Sequence, residues 1–226
     1  MENSRNSRPA DLTEIMLANL RGRIFHGANA VVGLSGGMDS VVLLHAAACV
    51  APQLRFSLRA IHVNHGLSRY RTLGREGAAR AARWAAFESQ SWDFLLLAHH
   101  QDDQAETVLL RLLRGSGTVG LSAMSPISDR VRGQVMRPFL GVGREHLRGY
   151  ARANALAWIE DESNDNQSLD RNFLRHRILP EMATRFPHAG NTLARSAGLL
   201  EEADELLDEL ARVDLAAFAA AADLLH

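Results

Sequence analysis

Lysine is absent from this chain, and all 25 of its basic residues are arginine. A Walker-type phosphate loop needs a lysine to reach the phosphates, so P-loop NTPase chemistry is excluded. Schiff-base catalysis and lysyl-adenylate ligase chemistry are excluded with it. Cysteine is almost as scarce. Cys49 stands alone, which leaves no internal disulfide and no CxxC pair for zinc or an iron–sulfur cluster. No apolar run approaches the roughly 20 residues that span a bilayer. The polar start MENSRNSRPADLTE also lacks the apolar segment of a secretory signal. A reducing cytoplasm, away from membranes, is the expected setting.

What is present is ordinary in amount and uneven in placement. The 226 residues are 46% hydrophobic and 23% charged, with a net charge of −1, which suits one globular core plus an appendage. Eleven arginines fall between residues 111 and 177, whereas the chain from Glu201 onward has eight acids against Arg212 alone. An arginine-rich middle suits phosphates or RNA. Codon bias toward arginine explains the missing lysine but not the clustering.

Periodicity predicts helices over 11–26, 39–49, 75–88, 102–114, 144–154 and 173–186, and a long one over 191–225. Short apolar runs at 30–34, 58–63, 94–98 and 156–159 read as strands, and 115–143, rich in Gly, Ser and Pro, reads as loops. Strands alternating with helices imply an α/β fold with a doubly wound parallel sheet, here with a C-terminal helical extension. The expected division is a catalytic domain over 1–186 and, over 187–226, a helical start to a domain that is not present. Three polar clusters, SGGMDS, HVNHGLS and HHQDDQAET, sit at strand carboxyl ends, where such sheets bind ligands.

SGGMDS carries the most chemistry. Gly36 and Gly37 allow consecutive N–H groups to face one anion, and the helix behind adds a partial positive end. Ser35 and Ser40 can donate to phosphate oxygens, and Asp39 can hold Mg²⁺ on a polyphosphate. The bare tripeptide SGG reads equally well as an N-capped turn. The full S-G-G-x-D-S after a buried strand favours phosphate.

That strand–SGGMDS–helix unit resembles the pyrophosphate loop of the N-type ATP pyrophosphatases, a Rossmann-like, adenine nucleotide alpha hydrolase-like fold. The ordered motifs IHVNHGLS, AHHQDDQAETVLLRLLRGSG, GLSAM, RPFL, WIEDESN and RNFLRHRILP together resemble the tRNA(Ile)-lysidine synthase family. The resemblance implies ligation of free lysine to C2 of the wobble cytidine in an isoleucine tRNA anticodon loop, with ATP and Mg²⁺ consumed through an adenylated cytidine. It makes Ser35, Gly36, Gly37, Met38, Asp39 and Ser40 the pyrophosphate set. Asp103 and Glu106, at i and i+3, become the lysine carboxylates, and Asp39 and Asp102 the Mg²⁺ ligands. Asn164, Arg171, Asn172 and Arg175 become RNA contacts.

Asp39, Asp103, His99 and Arg114 are the catalytic candidates under this resemblance. His65 and His100 are further histidines near the site, and His99 is preferred over them because it precedes the acidic helix. A possible homodimer belongs to the same picture. Alternatives are amidation of the NAD or GMP synthetase kind, or a non-catalytic ATP-binding module. Against the family pattern, only RYRTLG separates NHGLS from REGAARAARWAAF, where the family has a further βα unit; residues left out of the sequence, rather than a true deletion of that strand, are expected there.

Overall fold

The computed structural model describes residues 11–62, 75–160 and 169–223. The chain forms two compact units that interleave in sequence. One comprises Met1–Gln101 with Pro126–Ser163, the other Asp102–Ser125 with Asn164–His226. The chain passes between the units three times, after residues 101, 125 and 163.

The first unit is built on a five-stranded sheet in the order β2-β1-β3-β5-β4. Its strands are β1 (Asn29–Leu34), β2 (Ser57–His62), β3 (Phe94–Leu96), β4 (Ile127–Arg130) and β5 (Gly133–Met136). β1 pairs in parallel with β2 and β3, and β3 pairs in parallel with β5. β4 turns back antiparallel on β5. The chain passes from β1 through α2 (Met38–Leu54) to β2 on one side, and β3 lies on the other side. This is the reversal point at which open α/β sheets bind ligands.

Successive strand residues face opposite sides, and both sides are covered. Val32, Phe94, Leu96 and Met136 join the larger core with Leu12, Leu43, Phe139 and Leu147. Those partners come from α1 (Leu12–Leu20), α2, the segment after β5, and α6 (Arg144–Ala153). Val31, Leu95 and Val135 point the other way, onto Phe87 of α3 (Arg75–Glu88) and Trp92. The doubly wound sheet is therefore real. Its β2 edge is thin. Among the described residues β2 pairs only with β1, and Ser57, Arg59, Ala60 and His62 are exposed.

Two local expectations are corrected. The Gly-, Ser- and Pro-rich stretch 115–143 is not all loop, because it contains α5 (Thr118–Leu121) and the β4–β5 hairpin. At Gly133 the backbone of β5 passes so close to Asp93 that a Cβ there would run into its carbonyl. Residues 156–159 form no strand. They have no regular secondary structure, although Leu156 and Trp158 do pack on the larger core.

The second unit is helical. It holds α4 (Gln101–Leu113) from Asp102 onward, α5, and α7 (Asp170–Phe173). A π-helical turn (Leu174–Ile178), α8 (Leu179–Arg185) and the long α9 (Ala189–Asp223) complete it. No helix among the described residues is long and apolar enough to cross a membrane.

Candidate functional site

In the first unit, the turn from β1 into α2 is closed by its own hydroxyls. The Ser35 N–H donates to Ser40 Oγ at 3.2 Å, and the two hydroxyl oxygens lie 3.1 Å apart. Ser40 Oγ, buried, donates to the Gly37 carbonyl at 2.9 Å. The Gly37 N–H donates to Ser35 Oγ at 3.3 Å. Gly36 takes φ +89°, a conformation glycine adopts without steric cost. Gly37 is the N-cap of α2 and makes no side-chain cap hydrogen bond, so the first N–H groups of the helix stay available to an anion. Met38 contributes only its main chain, because its side chain is buried in the core.

Asp39 in the first turn of α2 faces a histidine and an arginine. His100 Nε2 lies 3.7 Å from Oδ2, and Arg144 Nε lies 3.6 Å from Oδ1. Oδ1 is buried and has no hydrogen-bond partner among the described residues. An orphaned carboxylate oxygen beside a glycine-rich turn at a helix N-terminus suits Mg²⁺, which is held by one or two carboxylates plus substrate phosphates. Among the described residues no group of three His, Cys, Asp or Glu side chains forms a cage of its own. Arg144 escapes sequence reasoning because it lies far along the chain. Its only signal is its position four residues after RPFL.

Of the neighbouring histidines, His100 is the one near Asp39. It is 2% exposed, whereas His99 beside it is half-buried. His65 and Asn164 lie outside the described residues.

The second unit gathers four charged side chains around α4. Glu106 is fully buried. It accepts from Arg171 Nε at 2.8 Å, and from Arg175 Nε and Nη2 at 2.5 and 2.9 Å. Arg175 Nη2 also donates to Asp103 Oδ1 at 3.0 Å. Arg171 Nη2 reaches the Asp103 carbonyl and Thr107 Oγ1, each at 3.3 Å. The i, i+4 spacing puts both guanidiniums on one face, as the sequence implies, and that face is turned to carboxylates. Asn172 between them is buried, and Asp102 is exposed. Arg114 is also exposed and pairs with Asp170 at 3.0 Å.

The loop between α4 and β4 is fixed from α4. Gln104, buried, donates to the Met124 carbonyl at 2.8 Å and accepts from the Met124 N–H at 3.0 Å. Arg111 donates to the Gly120 and Ala123 carbonyls at 2.6 and 2.9 Å. Ala123 is held at φ 58°, which a non-glycine residue adopts only under local constraint.

Comparison with known proteins places the chain among its relatives. The chain is 39% identical over 246 residues to the tRNA(Ile)-lysidine synthase of Nitrosomonas europaea, covering 95% of this chain and 54% of that protein. It is 46% identical over 215 residues to the synthase of that name from Pseudomonas syringae pv. tomato, covering 82% and 48%. The chain thus spans about half the length of the curated relatives it matches. An alignment of 246 residues is longer than this chain, so the Nitrosomonas protein carries positions that are absent here.

The U34-tRNA thiolase NcsA from Methanococcus maripaludis, solved with its [4Fe-4S] cluster, shares the fold. It has a TM-score of 0.63 and 18% identity, over 84% of this chain and 78% of that one. A PP-loop domain model matches residues 11–74 and again 69–182. With the β1–α2 turn, the reversal point and helices α1 to α7 inside those matches, the chain belongs to the PP-loop domain family.

Proposed function

We propose that this chain is the adenylating part of a tRNA(Ile)-lysidine synthase, joining free lysine to C2 of the wobble cytidine in an isoleucine tRNA. The observation that carries the proposal is the Ser35–Ser40 loop with its orphaned Asp39 oxygen, in a chain similar to proteins of that name over most of its length. In this mechanism, cytidine O2 attacks the α-phosphate of ATP and pyrophosphate leaves. The lysine amine then attacks C2, and AMP departs with the oxygen.

The loop's part is electrostatic. Its N–H groups and hydroxyls meet the charge that grows on departing pyrophosphate. Mg²⁺, when bound at Asp39, neutralises part of that same charge. Arg144 and His100 orient the Asp39 carboxylate.

Asp103 and Glu106 supply negative charge for the lysine ammonium. Their two charges are already matched by Arg171 and Arg175, so the quartet is neutral as a set. An incoming ammonium gains attraction there only when a guanidinium gives up a carboxylate oxygen. Such an exchange favours Asp103, which is partly exposed, over fully buried Glu106. Thiolation is disfavoured within this chain because Cys49 is its only cysteine.

The decisive assay measures pyrophosphate release with ATP, lysine and an isoleucine tRNA transcript. Release that requires the tRNA is expected. No release, or release indifferent to tRNA, overturns the proposal.

A further inference from the structure

Beyond α6 the chain passes the Ser35–Ser40 loop and is held there at two points. Trp158 packs on the larger core. The N–H of its neighbour Ile159 donates to the Gly36 carbonyl at 3.0 Å. The Ile159 side chain, 73% exposed, stands with Cδ1 only 3.7 Å from where a Cβ on Gly36 would lie. Both contacts belong to the first unit, and the mechanism above uses neither.

The Gly36 carbonyl and the Gly37 N–H belong to one peptide plane, and a trans peptide points them in opposite directions. With the carbonyl drawn to Ile159, the Gly37 N–H is turned toward Ser35 Oγ, among the hydroxyls that close the loop. A glycine pair has little preference of its own for that plane. Rotated by half a turn, the same peptide would aim a carbonyl oxygen at the anion.

We infer that the main-chain N–H of Ile159 is a positioning group for the pyrophosphate loop: anchored by Trp158, it fixes the Gly36–Gly37 peptide with its carbonyl turned out of the loop and its N–H held among the hydroxyls that meet the phosphate. The inference rests on the phosphate-binding role proposed above. The residue acts through Gly36 and does not itself touch the reacting atoms. Its side chain is secondary, because the restraint lies in the main chain.

The test titrates Mg²⁺–ATP and Mg²⁺–pyrophosphate calorimetrically into the wild-type chain and three variants. These are Ile159→Pro, Ile159→Ala, and a chain with the α-hydroxy acid of isoleucine at 159, whose ester oxygen replaces the donor. A wild-type chain that binds neither ligand overturns the phosphate-binding role itself. Given wild-type binding, the proline and ester chains are expected to bind about tenfold more weakly, the scale of one hydrogen bond.

Ile159→Ala keeps the donor and is expected to lose severalfold less. Equal affinity in the ester and wild-type chains, or equal losses in the alanine and proline variants, overturns the inference. Should Ile159→Pro fail to fold, the ester chain decides. Hydrogen exchange on the wild-type chain then adds a second check. Its Ile159 amide is expected to be protected without ligand and more so with it, and an amide that exchanges freely in both states refutes the inference.

Discussion

Asp39 meets His100 and Arg144 at distances where attraction operates but no hydrogen bond forms. Its carboxylate is thus oriented without being saturated. Asp39→Asn, which keeps the shape and removes the charge, is expected to slow pyrophosphate release by at least about a hundredfold, the scale of a lost transition-state contact. Single-turnover release rates check this, and near-wild-type release would remove Asp39 from the mechanism.

Tyr150 offers a separate residue-scale test. Burial pushes its hydroxyl up to about 12, assisted by the neighbouring Cys49 and Asp11, and its Oη lies 2.9 Å from His45 Nδ1. The folded chain therefore holds this proton where an unfolded tyrosine has lost it. The resulting stabilisation is complete below pH 10 and is lost as pH rises from 10 to 12. Tyr150→Phe is expected to flatten that alkaline decline in urea midpoints, and an unchanged slope would contradict the assignment.

Between α4 and the segment that opens with α7, the bond is electrostatic. Glu106 has no solvent to fall back on, so Glu106→Ala leaves two guanidiniums short of a partner at a buried site. The expected loss is about 3 kcal/mol in denaturant unfolding, and a loss under about 1 kcal/mol would show the quartet to be dispensable. The loop between α4 and β4 depends on α4 in another way. Gln104→Leu keeps the volume and removes both bonds to Met124. It is expected to cost about 2 kcal/mol and to raise proteolytic cleavage between residues 115 and 125.

These elements also show what could be read in advance. The phosphate loop is legible in six letters because its chemistry is local: a strand, two glycines, two hydroxyls and a helix start. The spacing of Arg171 and Arg175 is legible too, but their partners are not, since a guanidinium suits a carboxylate as well as a phosphate. The β4–β5 hairpin is hidden because its strands are short and polar, with Asp129, Arg130 and Arg132 near its turn. The apolar run at 156–159 signals the packing of half-buried Leu156 and Trp158 on the core, yet packing alone does not distinguish a strand from an irregular segment.

Across the whole molecule, the family model matches in two pieces that overlap at 69–74. That is where only RYRTLG stands between NHGLS and the next helix. The exposed edge of β2 lies just before this junction. The shortness of that stretch is legible because a family pattern fixes the order of its motifs; the Asp39–Arg144 approach is not, because it arises only when α6 packs on α2.

The interleaving of the two units has a consequence for how the chain is made. β3 lies between β1 and β5 in the finished sheet, yet α4, α5 and the loop between them are synthesised between β3 and β5. Emerging from the ribosome, Phe94–Leu96 has β1 on one side and nothing to bond on the other until Gly133–Met136 follows. Nascent chains stalled before that point are expected to be readily digested by protease, and chains stalled well past residue 153 to resist it. Nor can one cut separate the units, since each is assembled from two stretches of chain.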